Sequence, residues 1–90
     1  MEQESRMRDL NSIVITGKAD VNWEENPTKF WVKNRIDTRT KSEIQVFTVE
    51  VKGTNLPKIC REGIKTGMQV RVVGSYETDH ILADHVEVVE

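Results

Sequence analysis

Trp31, Lys33 and Arg35 alternate along the run Lys29-Phe30-Trp31-Val32-Lys33-Asn34-Arg35. On a strand these three side chains project from one face, about 6.5–7 Å apart. An indole beside two cations offers a platform for stacking bases and two partners for phosphate. Binding a single-stranded nucleic acid needs both, because every base has a π-face and each stacked base contributes about 1–3 kcal/mol. A solvent-facing tryptophan otherwise calls for cover by a subunit interface or a loop, and that second reading of Trp31 stands beside the first. Arg39 and Lys41 follow in a short polar connection, where they contact phosphate or belong to an ordinary solvated turn. Lys52 shares the outward parity of Thr48 and adds charge. Lys18 and Arg71, on neighbouring strands, would extend the patch.

Other reactive residue types point elsewhere. Trp23 lies beside Glu24 and Glu25, which repel phosphate, so it reads as a loop anchor or a protein contact ahead of a base-stacking platform. Tyr76 ends a strand, either stacking on a base or standing at a rim with its hydroxyl wet. Asp79-His80 and Asp84-His85 form a repeated pair, but their spacing on a strand turns the two histidines to opposite faces, which argues against a metal site. Cys60, at an apolar helical position, reads as a small buried hydrophobe rather than a nucleophile. Gly63 and Gly67 are spaced like turns, not like a phosphate cradle. No carboxylate pair has a context that would drive two pKa values apart. No cofactor, no metal and no enzymatic activity are expected.

The elements that must position these groups follow from hydrophobic periodicity. Ile13-Val14-Ile15-Thr16, within Leu10–Lys18, is a β-branched run that reads as a strand, and Gly17 suggests a bulge or sharp bend in it. Asp20–Thr28 carries Asn22, Asn26 and Pro27 and reads as a loop. Lys29–Asp37 alternates, with Phe30 and Val32, and less well Asn34 and Ile36, opposite Trp31, Lys33 and Arg35. Glu43–Lys52 alternates again, with Phe47, Val49 and Val51 inward. Thr54 or Asn55 can cap a helix with Pro57 in its first turn, Leu56, Ile59 and Cys60 as its core stripe, and Gly63 as its stop. Met68–Tyr76 is a strand with Val70, Val72 and Gly74 on one face. Ile81–Val89 is the last, with Leu82, Val86 and Val88 inward and a bulge allowed, because Ala83 breaks the alternation.

The order β-β-β-α-β-β is that of the OB-fold, a five-stranded Greek-key barrel, here all-β with one short helix. Closing into a barrel removes the exposed edges. The 90 residues fit a single domain over 10–90, preceded by a mobile polar tail over 1–9. Charged residues make up 31% and no apolar run approaches a spanning helix, so no membrane association is expected. The start shows no apolar signal segment, and the single cysteine rules out an internal disulfide, so a reducing cytoplasm is the expected location. The net charge of −2 hides an uneven distribution. Residues 29–41 carry net +4 and residues 42–75 net +2, whereas residues 1–28 carry −3 and residues 76–90 carry −5. Binding depends on the local field, which is basic in the middle of the chain.

Several segments resemble bacterial single-stranded DNA-binding proteins. Ser12-Ile13-Val14-Ile15-Thr16-Gly17-Lys18 is similar to the family's first strand, and Phe30-Trp31-Val32-Lys33-Asn34 sits where its second runs. Phe47-Thr48-Val49-Glu50-Val51-Lys52-Gly53 resembles the third strand and its terminal glycine. Lys65-Thr66-Gly67-Met68-Gln69-Val70-Arg71-Val72-Val73-Gly74 resembles the fourth, and Ile81-Leu82-Ala83-Asp84-His85-Val86-Glu87-Val88 the fifth. The resemblance spans roughly 10–89. It implies an OB-fold, binding across the outward sheet face, and assembly as a homodimer or homotetramer. The chain departs from the family pattern in three places. Val46 and Lys52 stand where the family places stacking aromatics on the third strand, with Glu50 between them. The connection Glu77–His80 is short. No glycine-rich linker with an acidic-aromatic recruitment tail follows Glu90.

The expected function is a single-stranded DNA-binding module in replication, recombination or repair, with RNA not excluded and Trp31, Lys33, Arg35, Arg39, Lys41 and Lys52 as its nucleic-acid contacts. Replication or repair proteins are its possible protein partners. The alternative is an OB-fold protein-interaction module with Trp31 and Trp23 as anchors, since tryptophan is enriched in interface hot spots.

Overall fold

The computed structural model describes residues 12–89, so the tail expected over 1–9 lies outside the described residues. Five strands and one helix follow in the anticipated order: β1 (Ser12–Asp20), β2 (Lys29–Asp37), β3 (Ser42–Val51), α1 (Asn55–Gly63), β4 (Gln69–Tyr76) and β5 (Ile81–Val88). The strands close into a barrel in the order β1-β2-β3-β5-β4. All pairings are antiparallel except β3 with β5, a short parallel contact in which Val49–Val51 lies beside Ile81–Ala83.

Alternation fills the barrel mainly with β-branched side chains. Ile15, Phe30, Val32, Val49, Val51, Val70, Val72 and Ile81 are all buried. Burying each contributes about 1.5–3 kcal/mol relative to leaving it exposed. β1 serves two partners. It pairs with β4 from Ser12 to Lys18 and with β2 from Lys18 to Asp20. The exchange needs Gly17, because a Cβ there would stand 2.5 Å from the Lys33 carbonyl oxygen and 2.8 Å from Val32 Cγ1. The bend anticipated at this glycine is thus a close approach of β2 to β1.

In the last strand the inward set differs from the expected one. Ile81, Ala83 and Val86 are buried, Leu82 is half-buried, and Val88 is 47% exposed. The cause is a bulge. Val73 pairs with His85 and Gly74 with Ala83, which leaves Asp84 as the extra residue and shifts the parity across it. Counting in twos back from Val86 selects Leu82, and only the bulge moves the inward position to Ala83.

The helix also turns differently from its expected stripe. Pro57 and Cys60 are buried and Leu56 packs against the core, but Ile59 is 61% exposed. At about 100° per residue, Ile59 lies roughly 110° from the centre of the arc formed by Leu56, Pro57 and Cys60. Proline acts here as the apolar side chain, and it rotates the stripe away from Ile59. Gly63 does not end the helix through a left-handed backbone. Ile64 becomes extended, donates its N–H to the Cys60 carbonyl at 2.8 Å and buries its own side chain.

Three contacts staple this end of the barrel. Trp23 Nε1 donates to the Ile64 carbonyl at 2.9 Å, and its ring meets Phe30 edge-on at 5.6 Å. Arg61 donates to the Pro27 carbonyl at 3.0 Å. Thr66 Oγ1 accepts from the Val21 N–H at 2.9 Å and donates to the Val21 carbonyl at 3.2 Å. Trp23 is therefore a loop anchor, one of the roles anticipated for it.

Candidate nucleic-acid interface

The outward faces of β2 and β3 form one surface. Trp31 pairs with Thr48, Lys33 with Val46, and Arg35 with Ile44, while Lys29 pairs with Glu50. Trp31, Lys33 and Arg35 thus share a face, as their alternation requires. Beyond Asn34 this hairpin outruns the barrel. Every residue from 35 to 46 is exposed, including Ile44 and Val46. That is why Ile36, expected to face the core less well than Phe30 and Val32, instead meets solvent.

A groove of about 460 Å³ opens where β1 and β2 part company. Their ladder ends at the Lys18 and Lys33 pair, and beyond it Asn34 Nδ2 bridges the gap by donating to the Thr16 carbonyl at 2.9 Å. Lys18, Lys33 and Arg35 line this groove together with Gln69 and Ile44. Lys18, anticipated only as an extension, lines it directly. The sequence placed Lys18 on a neighbouring strand, but nothing in it gives the register that sets Lys18 opposite Lys33.

Three of the cations, Lys33, Arg35 and Lys41, are held by carboxylates. Lys33 Nζ lies 3.0 Å from Asp20 Oδ2. Arg35 Nε donates to Asp37 Oδ1 at 3.1 Å and to Ser42 Oγ at 3.0 Å, and Ser42 in turn donates to Asp37 at 2.6 Å. Lys41 Nζ lies 2.7 Å from Glu43 Oε1. These pairs are exposed, so each contributes at most about 1 kcal/mol to stability and yields readily to a competing anion. Arg39 and Lys41 occupy the hairpin tip, closed by the Thr38 N–H donating to the Lys41 carbonyl at 2.8 Å. Among the described residues Arg39 and Lys52 have no ion-pair partner. Lys52 stands just past the end of β3. It lies six residues beyond Val46, the partner of Lys33, or roughly 20 Å at strand rise. The structure does not bring Lys52 to the groove. Arg71 is also set apart from it, paired with Glu87 at 2.9 Å on the β4–β5 surface.

A second cavity, of about 380 Å³, lies at the other end of the β2–β3 face. Trp31 lines it with Lys29, Thr48, Glu50, Asp79 and His80. Asp79 and His80 come from the β4–β5 connection, closed by the Glu77 N–H donating to the His80 carbonyl at 2.8 Å. His80 Nδ1 lies 2.7 Å from Asp79 Oδ1, and its Nε2 lies 3.8 Å from Glu50 Oε2. The hydrogen bond from His80 is the main cause holding the Asp79 carboxyl below its ordinary pKa. Exposed Tyr76 borders the adjoining depression with Val46, Thr48 and Ile81. Lys29 was not singled out from the sequence, although it shares the parity of Trp31, and Glu50 was noted there only as a departure from the family's third strand. The proximity of His80 to Trp31 has no sequence signal, because it depends on β3 pairing with β5.

No family model matches the chain, and no curated protein aligns with it at a significant level. Solved structures do match. A mitochondrial single-stranded DNA-binding protein from S. cerevisiae aligns over 88% of this chain and 93% of its own, with TM-score 0.67 and 12% identity. The Plasmodium falciparum SSB, in complex with ssDNA, aligns over 89% of this chain and 95% of its own, with TM-score 0.63 and 17% identity. The fold is an OB-fold. In this fold the face of strands two and three, with the loops after strands one and four, is where oligonucleotides bind. Trp31, Lys33 and Arg35 lie on that face and the Asp79-His80 corner in a bordering loop, while Lys18 flanks the face from β1.

Proposed function

We propose that the chain binds single-stranded DNA without catalysing a reaction, as a module in replication, recombination or repair. The observation that carries this reading is the groove where Lys18 of β1 meets Lys33 and Arg35 of β2, the latter two on the same outward face as Trp31. A strand lying along β2 would stack a base on the indole and set its phosphates against these cations. Arg39 and Lys41, on a hairpin that projects beyond the barrel, are placed to follow the backbone further. The two structural neighbours, both single-stranded DNA-binding proteins and one complexed with ssDNA, support the reading. Stacking and phosphate contact serve RNA as well as DNA. We further propose self-association as a homodimer or homotetramer, supported by the outward Val14, 61% exposed beside half-buried Val73.

The rival reading, a protein-interaction module, loses one of its two tryptophan anchors, because Trp23 is engaged with Phe30 and Ile64 inside the fold. It keeps Trp31 and the exposed Ile44 and Val46. Titration of a fluorescent oligo-dT of about 35 nucleotides at low and high salt separates the two. The nucleic-acid reading requires binding that weakens with salt, quenches the indole and drops in Trp31→Ala. Failure to bind even at low salt would sink it.

A further inference from the structure

The cavity beside Trp31 has a chemistry that phosphate does not suit. Its indole wall adjoins the carboxylates of Glu50 and Asp79, and Lys29 is the one fixed cation among its lining groups. Glu50 is only 32% exposed, and among the described residues its carboxylate accepts no hydrogen bond. His80 Nε2 stands at 3.8 Å, beyond hydrogen-bond reach. A partly sheltered carboxylate is an acceptor only, and it favours a ligand that brings N–H groups. An occupant of this cavity must therefore be flat enough to lie on an indole, bare of phosphate where it meets Glu50, and rich in donors along one edge.

We infer that this cavity is a base-selecting subsite, in which Trp31 stacks a guanine of the bound single strand and Glu50 accepts from its Watson–Crick edge. This rests on the single-strand-binding reading above and adds selectivity to it. Guanine presents N1–H and the N2 amino group side by side, a match for the two oxygens of one carboxylate. Cytosine and adenine present one amino group next to a ring nitrogen lone pair, which a carboxylate repels. Thymine and uracil present a single N–H between two carbonyl oxygens, the poorest fit. Unstacked bases in single strands are read along these edges, with side-chain carboxylates as acceptors. Asp79, held by His80 at 2.7 Å and 86% exposed, sits at the rim, where it keeps phosphate out of the cavity. The phosphates instead follow the Lys18, Lys33 and Arg35 groove at the other end of the face. The division of the β2–β3 surface into a carboxylate-lined end and a cation-lined end is thus a division between reading a base and holding the backbone.

The test uses the whole chain and fluorescent strands of about 15 nucleotides, one all dT and others with a single central dG, dC or dA. The dG strand is expected to bind about tenfold more tightly than the dT strand, with dC and dA between them. Glu50→Gln is expected to collapse the dG-to-dT ratio toward one. Asp79→Asn, on an exposed loop, lowers the ratio by less and serves if Glu50→Gln fails to fold. Equal affinities for dG and dT strands, or a ratio that survives Glu50→Gln with a native thermal transition, would overturn the subsite and leave single-strand binding intact. A chain that binds none of the strands at low salt overturns both.

Discussion

Asp20 Oδ2 sits 3.0 Å from Lys33 Nζ, one carboxylate holding the cation at the head of the basic groove. Asp20 closes β1 and pairs with Trp31, so the same residue sets a negative charge beside both halves of the face. Its pair with Lys33 is half-exposed on both sides, so it contributes little to folding. On the proposed reading its effect falls on ligand affinity, since a phosphate would have to displace it.

Asp20→Asn should therefore leave the urea midpoint nearly unchanged, with a stability change within about 1 kcal/mol, while tightening binding to oligo-dT. If the freed Lys33 gains a phosphate, the slope of log K against log salt steepens by about 0.7. Isothermal titration at three salt concentrations reads both quantities, and weaker binding would contradict the placement of the strand over Lys33.

Trp31→Ala should reduce oligo-dT affinity by about 1–3 kcal/mol with little change in salt slope, because it removes stacking and no charge. Lys33→Ala should do the reverse, losing slope by about 0.7 with its affinity. Anisotropy titrations of the two variants, run side by side, distinguish these signatures. Lys52→Ala, well away from the groove, should change neither.

The glycine at the β1 bend and the exposed isoleucine of α1 make opposite predictions for stability. Gly17→Ala drives a methyl into the Lys33 carbonyl and Val32, and should cost about 1–3 kcal/mol. Ile59→Ala removes a side chain that is mostly solvated and should change stability by about 0.5 kcal/mol or less. Chemical denaturation measures both. A large loss at Ile59 would restore the helix orientation that apolar spacing alone suggested.

Cys60 is buried, and that burial pushes its thiol up to about 11 from an ordinary value near 9.0, against a smaller opposing pull from Arg61. At pH 8 the thiol should resist modification until the chain unfolds, so its labelling rate should follow urea concentration. A group with a raised folded pKa stabilises fully below the unfolded value and loses that contribution as pH rises toward the folded one. Stability should thus fall between pH 9 and 11, by on the order of 1 kcal/mol near pH 10, and Cys60→Ala should remove that part of the decline.

The elements were legible because each announces its own period. β2 runs from Lys29 to Asp37 as its alternation indicates, and Val70, Val72 and Gly74 face inward as read. The misreadings have two causes, a strand partner distant in sequence and a local residue not counted as core. Leu82 and Val88 lost their inward places to a bulge that appears only against β4. Ile59 lost its place to Pro57, whose ring is apolar but seldom counted as core. At the site, parity alone put Trp31, Lys33 and Arg35 on one face. The carboxylate that holds Lys33 and the histidine beside Glu50 were invisible, because strand register and loop packing bring them there.

The staples formed by Trp23, Arg61 and Thr66 all lie at the Lys29 end of β2, whereas Arg39 and Lys41 sit past its other end. The chain thereby separates its chassis from its reach. Residues of the projecting hairpin carry almost none of the cohesion of the barrel, so its tip is a place where length and lettering are free to vary. A longer Thr38–Lys41 turn, or a different one grafted there, would give the same barrel a new span along its ligand without asking the core to change.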